Sequence, residues 1–245
     1  MAEARPGGGT RLTGLFATGT VSAWPLPAPA GGARVHLVSR AAGPLGGDRT
    51  RLDVRVGSGA RLAVTSAAAA VALPGPDGQW STAHVHAHVA TGGTLWWQPQ
   101  PLVLTARALH RSAAHVAVDD GGVVVWWEEL VLGRSGEAPG SLTARLTVDH
   151  AGQPLVRHDL RAGPAWPGWD SCAALGPYRI HVTVCAAGVT PRCHDAMPAL
   201  SPTAAVLACD GPGLLVTASG DDLRAARRLA ATGLDAAGHA IVFDW

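Results

Sequence analysis

The sequence predicts a mainly β protein built from stacked β-hairpin or β-helix-like units, with one or two α-helices. Three segments carry this prediction, because each joins an alternating strand to a more apolar strand through a short glycine-containing turn: "RLDVRVGSGARLAVTS", "HVHAHVATGGTLWWQP" and "AHVAVDDGGVVVWWEE". The valines before four successive turns, Val56, Val89, Val118 and Val148, are 33, 29 and 30 residues apart. A repeat of about 30 residues is typical of stacked units that each bury one face against the next.

Helix signals are few. The segment "GDDLRAARRLAATG" has Asp221 and Asp222 at its start, apolar residues at helical spacing and Gly233 as a stop. The segment 66–73, "SAAAAVAL", has helical propensity but follows a strand and ends at Pro-Gly, so its structure stays open. We expect a single domain, 1–245, with a possible internal boundary in the Pro- and Gly-rich segment 162–177.

The composition restricts the classes of function. Charged residues make up 15% of the chain, the net charge is +1 and no basic cluster stands out, so we expect no nucleic-acid partner. All 19 basic residues are arginine. The lack of lysine excludes a Walker A loop, a Schiff-base site and a Ser-Lys nucleophile pair. No apolar run approaches the ~18 residues of a membrane span, so we expect no membrane partner.

The four cysteines have neither CxxC spacing nor the density of a disulfide scaffold, so reduced thiols are expected. They are Cys172, Cys185, Cys193 and Cys209. The segment "CHD" at Cys193 to Asp195 is a candidate for metal ligands, although a second ligand pair is missing.

Two adjacent carboxylates interrupt the strand "VVVWWEELVLGR", residues 123–134. Because side chains alternate along a strand, Glu128 lies on one face and Glu129 on the other, each among large apolar neighbours. An isolated buried charge costs several kcal/mol or more. Each carboxylate must therefore be paired, protonated or beside a polar cavity.

The segment "AGPLGGD", 42–48, contains Gly43, Gly46 and Gly47 and ends in Asp48. A phosphate-binding loop would open a helix, whereas the next residues, "RTRLDVRV", read as a strand. Two interpretations remain: a glycine turn with a solvated Asp48, or an acidic side chain placed in a cleft.

In "HVHAHV", His84, His86 and His88 share one strand face at spacings of about 7 Å. The pattern fits a solvent-facing polar surface opposite Val85, Ala87 and Val89. It also fits an ancillary metal contact, because two imidazoles at this spacing can share one metal ion.

Arg134 follows Glu128 on the same face, but about 20 Å further along an extended strand. The two residues can pair only if the chain bends at Gly133. The simpler interpretation is a structural ion pair of Arg134 with another residue.

Four segments, in order, resemble the motifs of the urease accessory protein family UreD, also called UreH. "AGPLGGDRTRLDVRV" is similar to the family's GGxxGGD followed by a strand, with Ala42 in place of the first glycine, and "ARLAVTSAAAAV" to its next strand. "LWWQPQ", containing Pro99 and Gln100, and "WEELVLGRSGE", containing Trp127, Gly133 and Arg134, are similar to the later motifs. Where relatives carry polar residues after the second motif's threonine, this chain has Ala67, Ala70 and Val71.

The resemblance implies a non-enzymatic, largely β scaffold in the cytoplasm. Such proteins work with the accessory protein UreF and the nickel-delivering GTPase UreG to load nickel into apo-urease. It further implies no tightly bound cofactor, nickel(II) in transit, and a polar passage faced by Glu128 and Asp48. Carboxylate and water oxygens, with occasional imidazole, hold a divalent ion loosely enough to release it.

Two other classes of function fit the same residues. One is a β-rich module that binds a ligand or carbohydrate. The other is a carboxylate-dependent hydrolase, because the sequence does not give the separation between Asp48 and Glu128.

Overall fold

The computed structural model describes residues 1–5, 8–28, 31–191 and 201–236. Strands dominate it, and none of its described helices is long and apolar enough to cross a membrane. In chain order the elements are β1 (Ala2–Ala4), β2 (Thr10–Leu12), β3 (Val21–Leu26), β4 (Ala33–Ser39), β5 (Arg49–Val56), β6 (Arg61–Ser66), β7 (Ala70–Ala72), β8 (Ser81–Val89), β9 (Thr94–Gln98), β10 (Leu102–Leu104), β11 (Leu109–Val118), β12 (Val123–Leu132), β13 (Ser141–His150), β14 (Gln153–Ala162), β15 (Ile180–Ala187), β16 (Ala204–Ala208), β17 (Gly213–Gly220) and α1 (Leu223–Ala236).

The strands form two sheets. The seven-stranded sheet has the order β14-β13-β11-β8-β5-β1-β2, and β5, β8, β11 and β13 run parallel within it. The ten-stranded sheet has the order β16-β17-β15-β12-β9-β6-β4-β3, with β10 and β7 attached beside β12. β4, β6, β9 and β12 are parallel there. The predicted fold class, mainly β with stacked β-helix-like units, is confirmed.

The prediction of three hairpins is wrong in the pairing of their strands. The two strands around each glycine turn, such as β8 and β9, lie in different sheets and pair with the equivalent strands of the next unit. Each unit is thus an arch. Val56 lies opposite Val89, and Val89 opposite Val118, whereas Val148 lies opposite Val116. The repeat therefore holds in register for three units and shifts by two residues at the fourth, where β13 and β14 form a true hairpin.

The turns of successive arches stack closely on one another. The Gly92 amide donates to the Gly121 carbonyl oxygen at 3.0 Å, which links two turns. A Cβ at Gly93 would lie 2.9 Å from the Gly57 carbonyl oxygen of the preceding turn, so this position requires glycine.

Apolar side chains fill two layers. The first lies between the sheets, where the rings of Trp97 and Trp126 stack with centroids 4.5 Å apart. The second lies on the other face of the ten-stranded sheet, where Trp127 and its neighbours are covered by α1 through Ala226 and Ala230. The predicted helix is confirmed, but it continues through Gly233 rather than stopping there.

The structure describes both segments whose sequence left their structure open. Residues 66–73 are not helical and contain the short strand β7. The segment 162–177 is a series of turns between β14 and β15, and its Trp166 indole donates to the Leu142 carbonyl oxygen of β13. A domain boundary there stays a prediction.

Candidate functional site

The ten-stranded sheet has a gap beside the middle of β12. β9 pairs with β12 only as far as Trp126, and β10 resumes the pairing at Leu130. The chain between β9 and β10 contains Pro99 and a second proline two residues later, and proline has no N–H to donate to a ladder. Glu128 and Glu129 therefore lie next to a break in the sheet.

A cavity of about 260 Å³ occupies the space between the sheets and reaches this gap. Both Asp48 and Glu128 line this cavity, most of whose wall is apolar, and the polar passage stays a prediction. Small side chains from four neighbouring strands of the seven-stranded sheet leave the space open; they are Thr50, Ala83, Ser112 and Ala144. Trp127 and Glu129, from the other face of β12, are also among the lining residues.

Glu128 faces the cavity without a cation beside it. Its Oε1 accepts a hydrogen bond from the Trp126 indole at 3.0 Å, and no described basic side chain forms an ion pair with it. Thr183 lies opposite Glu128 on β15. Burial raises the pKa of the Glu128 carboxyl, and the indole hydrogen bond opposes part of that rise.

Glu129 is held in a different way on the opposite face of β12. Its side chain is 0% exposed, and the Arg227 guanidinium of α1 donates to both carboxylate oxygens, with Nε to Oε1 at 2.7 Å. Arg227 also donates to Gln100 Oε1 at 3.3 Å. Each of the two carboxylates thus matches one of the arrangements that the sequence requires. Glu129 is paired with a cation, and Glu128 borders a cavity.

Asp48 ends the glycine loop and belongs to the same cavity wall. Its Oδ2 accepts the Leu45 amide at 2.8 Å, and Gly47 has a φ of 96°. A Cβ at Gly46 would lie 2.4 Å from the Gly75 amide nitrogen, so the loop packs too closely for a side chain. Asp48 also lines a second cavity of about 430 Å³ formed with residues 16–23. Asp48 thus both closes the glycine turn and borders a cleft, so the two interpretations of this residue stay predictions, and β5 follows the loop as expected.

Three inward histidines of the cavity wall were not identified from the sequence. His110 is buried, its Nδ1 lies 2.8 Å from Ser81 Oγ, and burial lowers its pKa to about 4. Burial also lowers the pKa values of His158 and His181. Period-two alternation along their strands could have placed all three on the inner faces. At neutral pH they add uncharged imidazoles to the cavity.

His84, His86 and His88 lie outside the cavity, on the exposed outer face of the seven-stranded sheet. His88 Nε2 lies 3.1 Å from Asp119 Oδ1, and His86 packs edge-on against His115 of β11. The solvent-facing surface is confirmed. In the described part of the chain, no group of three or more His, Cys, Asp or Glu side chains is arranged to hold a metal ion. The ancillary metal contact stays a prediction.

The remaining motif residues have structural roles. Arg134 pairs with Glu137 at 2.8 Å, which confirms the ion pair outside the strand and holds the pKa of the Glu137 carboxyl at about 2. Gly133 directly follows β12 with a φ of 78°, and a Cβ there would lie 2.5 Å from the Glu137 carbonyl oxygen. The Trp127 indole N–H has no hydrogen-bond partner among the described residues. Cys193 and Asp195 lie outside the described residues.

Comparison with known proteins places these motifs in one family. The family model described as UreD urease accessory protein matches residues 2–242. This chain belongs to the UreD family. Urease accessory protein UreD 3 of Streptomyces griseus is 42% identical over 201 residues, which cover 80% of this chain and 77% of that protein. UreD of Parafrankia sp. is 37% identical and UreD of Streptomyces coelicolor 36% identical, each over 91% of this chain; the aligned regions cover 82% and 88% of those proteins.

Membership of the UreD family gives the chain an accessory role in urease maturation. Of the motif residues that the family resemblance singled out, Gly43, Pro99, Gln100 and Trp127 all line the cavity with Asp48 and Glu128. Gly133 and Arg134 directly follow the strand that carries the two glutamates.

Proposed function

We propose that this protein is a non-enzymatic scaffold for inserting nickel into apo-urease, acting with UreF-like and UreG-like partners, and that nickel(II) moves through the cavity between the sheets as cargo. Asp48 and Glu128 are the carboxylates that the ion meets on the way. The observation that carries the proposal is the Glu128 carboxylate, which borders a cavity and has the Trp126 indole N–H as its one hydrogen-bond partner among the described residues.

The chemistry of the cavity wall supports transit of a divalent ion. Carboxylate oxygens, a threonine hydroxyl and the His158 imidazole are ligands for such an ion, whereas both ring nitrogens of His181 are already hydrogen-bonded to Ser219 and Tyr178. None of these cavity ligands is a thiolate that would hold the ion tightly. The thiol of Cys185, on the strand next to Glu128, is buried, and burial raises its pKa, so it stays protonated at neutral pH.

The structure of the glycine loop supports the assignment of GTP hydrolysis to a partner protein. In this chain the loop leads into β5 rather than a helix N-terminus, so it forms no phosphate site. With no lysine in the chain, GTP hydrolysis is assigned to the UreG-like partner. The relatives carry the name accessory protein, which agrees with a supporting role.

The test is Glu128→Gln in the complex with apo-urease and its accessory proteins. The substitution keeps size and hydrogen-bonding capacity but removes the charge that attracts a divalent ion. We expect the complex to assemble and the nickel content per urease active site to fall, most at limiting nickel. Asp48→Asn should act in the same direction.

Glu129→Gln is a poor control, because it breaks the pair with Arg227 and acts through stability. Asp235→Asn is better matched, since it removes the same charge from an exposed residue of α1 that does not line the cavity. Normal nickel loading by Glu128→Gln at limiting nickel would show that the ion does not depend on this carboxylate. Equal losses in both variants would assign the effect to net charge.

A further inference from the structure

The outer face of the seven-stranded sheet concentrates positive charge. It is formed by the exposed alternate residues of β5, β8, β11, β13 and β14, and this set is called the outer face below. Seven of the chain's 19 arginines lie on it: Arg49, Arg51, Arg55, Arg111, Arg145, Arg157 and Arg161. Three aspartates of these strands share the outer face, Asp53, Asp149 and Asp159, and Asp119, one residue beyond β11, contacts the outer-face His88. Seven arginines against four aspartates leave an excess of three positive charges, whereas the whole chain carries +1.

The aspartates neutralise only three of these arginines. Asp53 pairs with Arg51 and Asp159 with Arg145, and Asp149 pairs with Arg157. The other four have no carboxylate within ion-pair distance among the described residues: Arg49, Arg55, Arg111 and Arg161. The excess charge of the outer face is therefore carried by side chains that have donors free for another molecule.

Two of these four guanidinium groups are held in place by aromatic rings. The Arg111 guanidinium lies 4.5 Å from the centre of the Trp80 ring, and the Arg161 guanidinium 4.7 Å from that of Trp166. Stacking on an aromatic ring restricts the guanidinium and leaves its edge N–H groups available for a carboxylate. Arginine and tryptophan are also the side chains that most often dominate binding energy at protein interfaces.

The size of the outer face fits a protein partner. Five strands spaced about 4.8 Å apart, each with about nine residues, cover roughly 700 Å². A stable protein interface buries ~800 Å² on each partner. No described element packs over this area, because α1 covers the ten-stranded sheet instead.

We propose that the outer face of the seven-stranded sheet docks an acidic protein surface. The aspartates interleaved with the arginines favour a protein over a nucleic acid, because they would repel a continuous row of phosphates but can meet the basic side chains that accompany an acidic protein patch. The docking site lies apart from the cavity and does not depend on the nickel passage.

Binding of fluorescently labelled poly-L-glutamate, measured by anisotropy at about 0.1 M salt, tests the carboxylate preference. The test variant R55E/R111E reverses two of the unpaired arginines. The control R224E/R228E makes the same change in net charge at two exposed arginines of α1. We expect the wild type and the control to bind alike and R55E/R111E to bind at least about tenfold more weakly.

A second variant, R55Q/R111Q, removes charge without adding carboxylates next to Asp53 and keeps the result interpretable if R55E/R111E fails to fold. It should also weaken binding, and added salt should reduce wild-type affinity. Equal losses in the test and control variants would overturn the proposal, as would absence of wild-type binding. Tighter binding of a labelled DNA duplex than of poly-L-glutamate would overturn it in favour of a nucleic-acid partner.

Discussion

Each face of β12 carries one glutamate, and the two faces accommodate its carboxyl group in opposite ways. On the helix face, Glu129 is fully buried and its charge is balanced by Arg227 of α1. On the cavity face, Glu128 has an indole N–H and open space, and its neighbours in the cavity wall include uncharged histidines. Glu129 therefore has a structural role, whereas Glu128 has no cationic partner among the described residues.

The strongest test of this contrast is Arg227→Met, which should destabilise the protein by about 3 to 5 kcal/mol, because it leaves the Glu129 charge buried without a partner. Chemical denaturation measures the change. Arg228→Met, at the next and exposed helix position, keeps the helix propensity and should have little effect. The double variant Glu129→Met/Arg227→Met should recover most of the loss; if it does not, the pair does more than neutralise a buried charge.

The cavity face predicts a dependence of stability on acid. The pKa of His110 is lowered to about 4, so its contribution to stability is complete above the ordinary histidine pKa and is lost as the pH falls toward 4. The loss attributable to His110 is about 3 kcal/mol over that interval. His110→Gln, which can keep a hydrogen bond to Ser81, should flatten the profile of unfolding free energy between pH 6.5 and 4. An unchanged profile would show that the imidazole is not held uncharged.

Glu128→Gln should stabilise the isolated protein at neutral pH by about 1 kcal/mol, because the buried carboxyl is costly to ionise there. The pKa of Glu128 is raised in the folded state, so its contribution is present below the ordinary carboxyl pKa and is lost as the pH rises through the folded value. The advantage of the variant should therefore vanish near pH ~4. Thermal unfolding at two pH values measures it, and a less stable variant at neutral pH would mean that the charge is compensated in the fold.

Gln100→Ala should have the smallest effect, within about 0.5 kcal/mol, since its contact with Arg227 is partly exposed and long at 3.3 Å. A larger loss, measured by the same denaturation experiment, would show that the helix face relies on the motif glutamine as well as on Glu129.

The opposite orientation of the two glutamates can be predicted from the sequence, but the partner of Glu129 cannot. Alternation along the strand placed Glu128 and Glu129 on opposite faces. It could not supply the partner of Glu129, because Arg227 lies 98 residues later on a helix whose docking depends on the whole sheet. For the same reason the sequence predicts hairpins where the structure has arches. Both need a glycine turn between two strands, and only long-range pairing decides whether a strand pairs with the other strand of its own unit or with strands of neighbouring units.

The gap beside β12 has a consequence for local opening of the backbone. Residues 127–129 are paired with β15 on one side, but lack a strand on the side where β9 has ended. Backbone amide groups of these residues that point toward the gap have no inter-strand hydrogen bond that must break before they exchange with water. Hydrogen exchange should therefore find rapidly exchanging amides within the central strand of the protein, next to neighbours that exchange only on global unfolding.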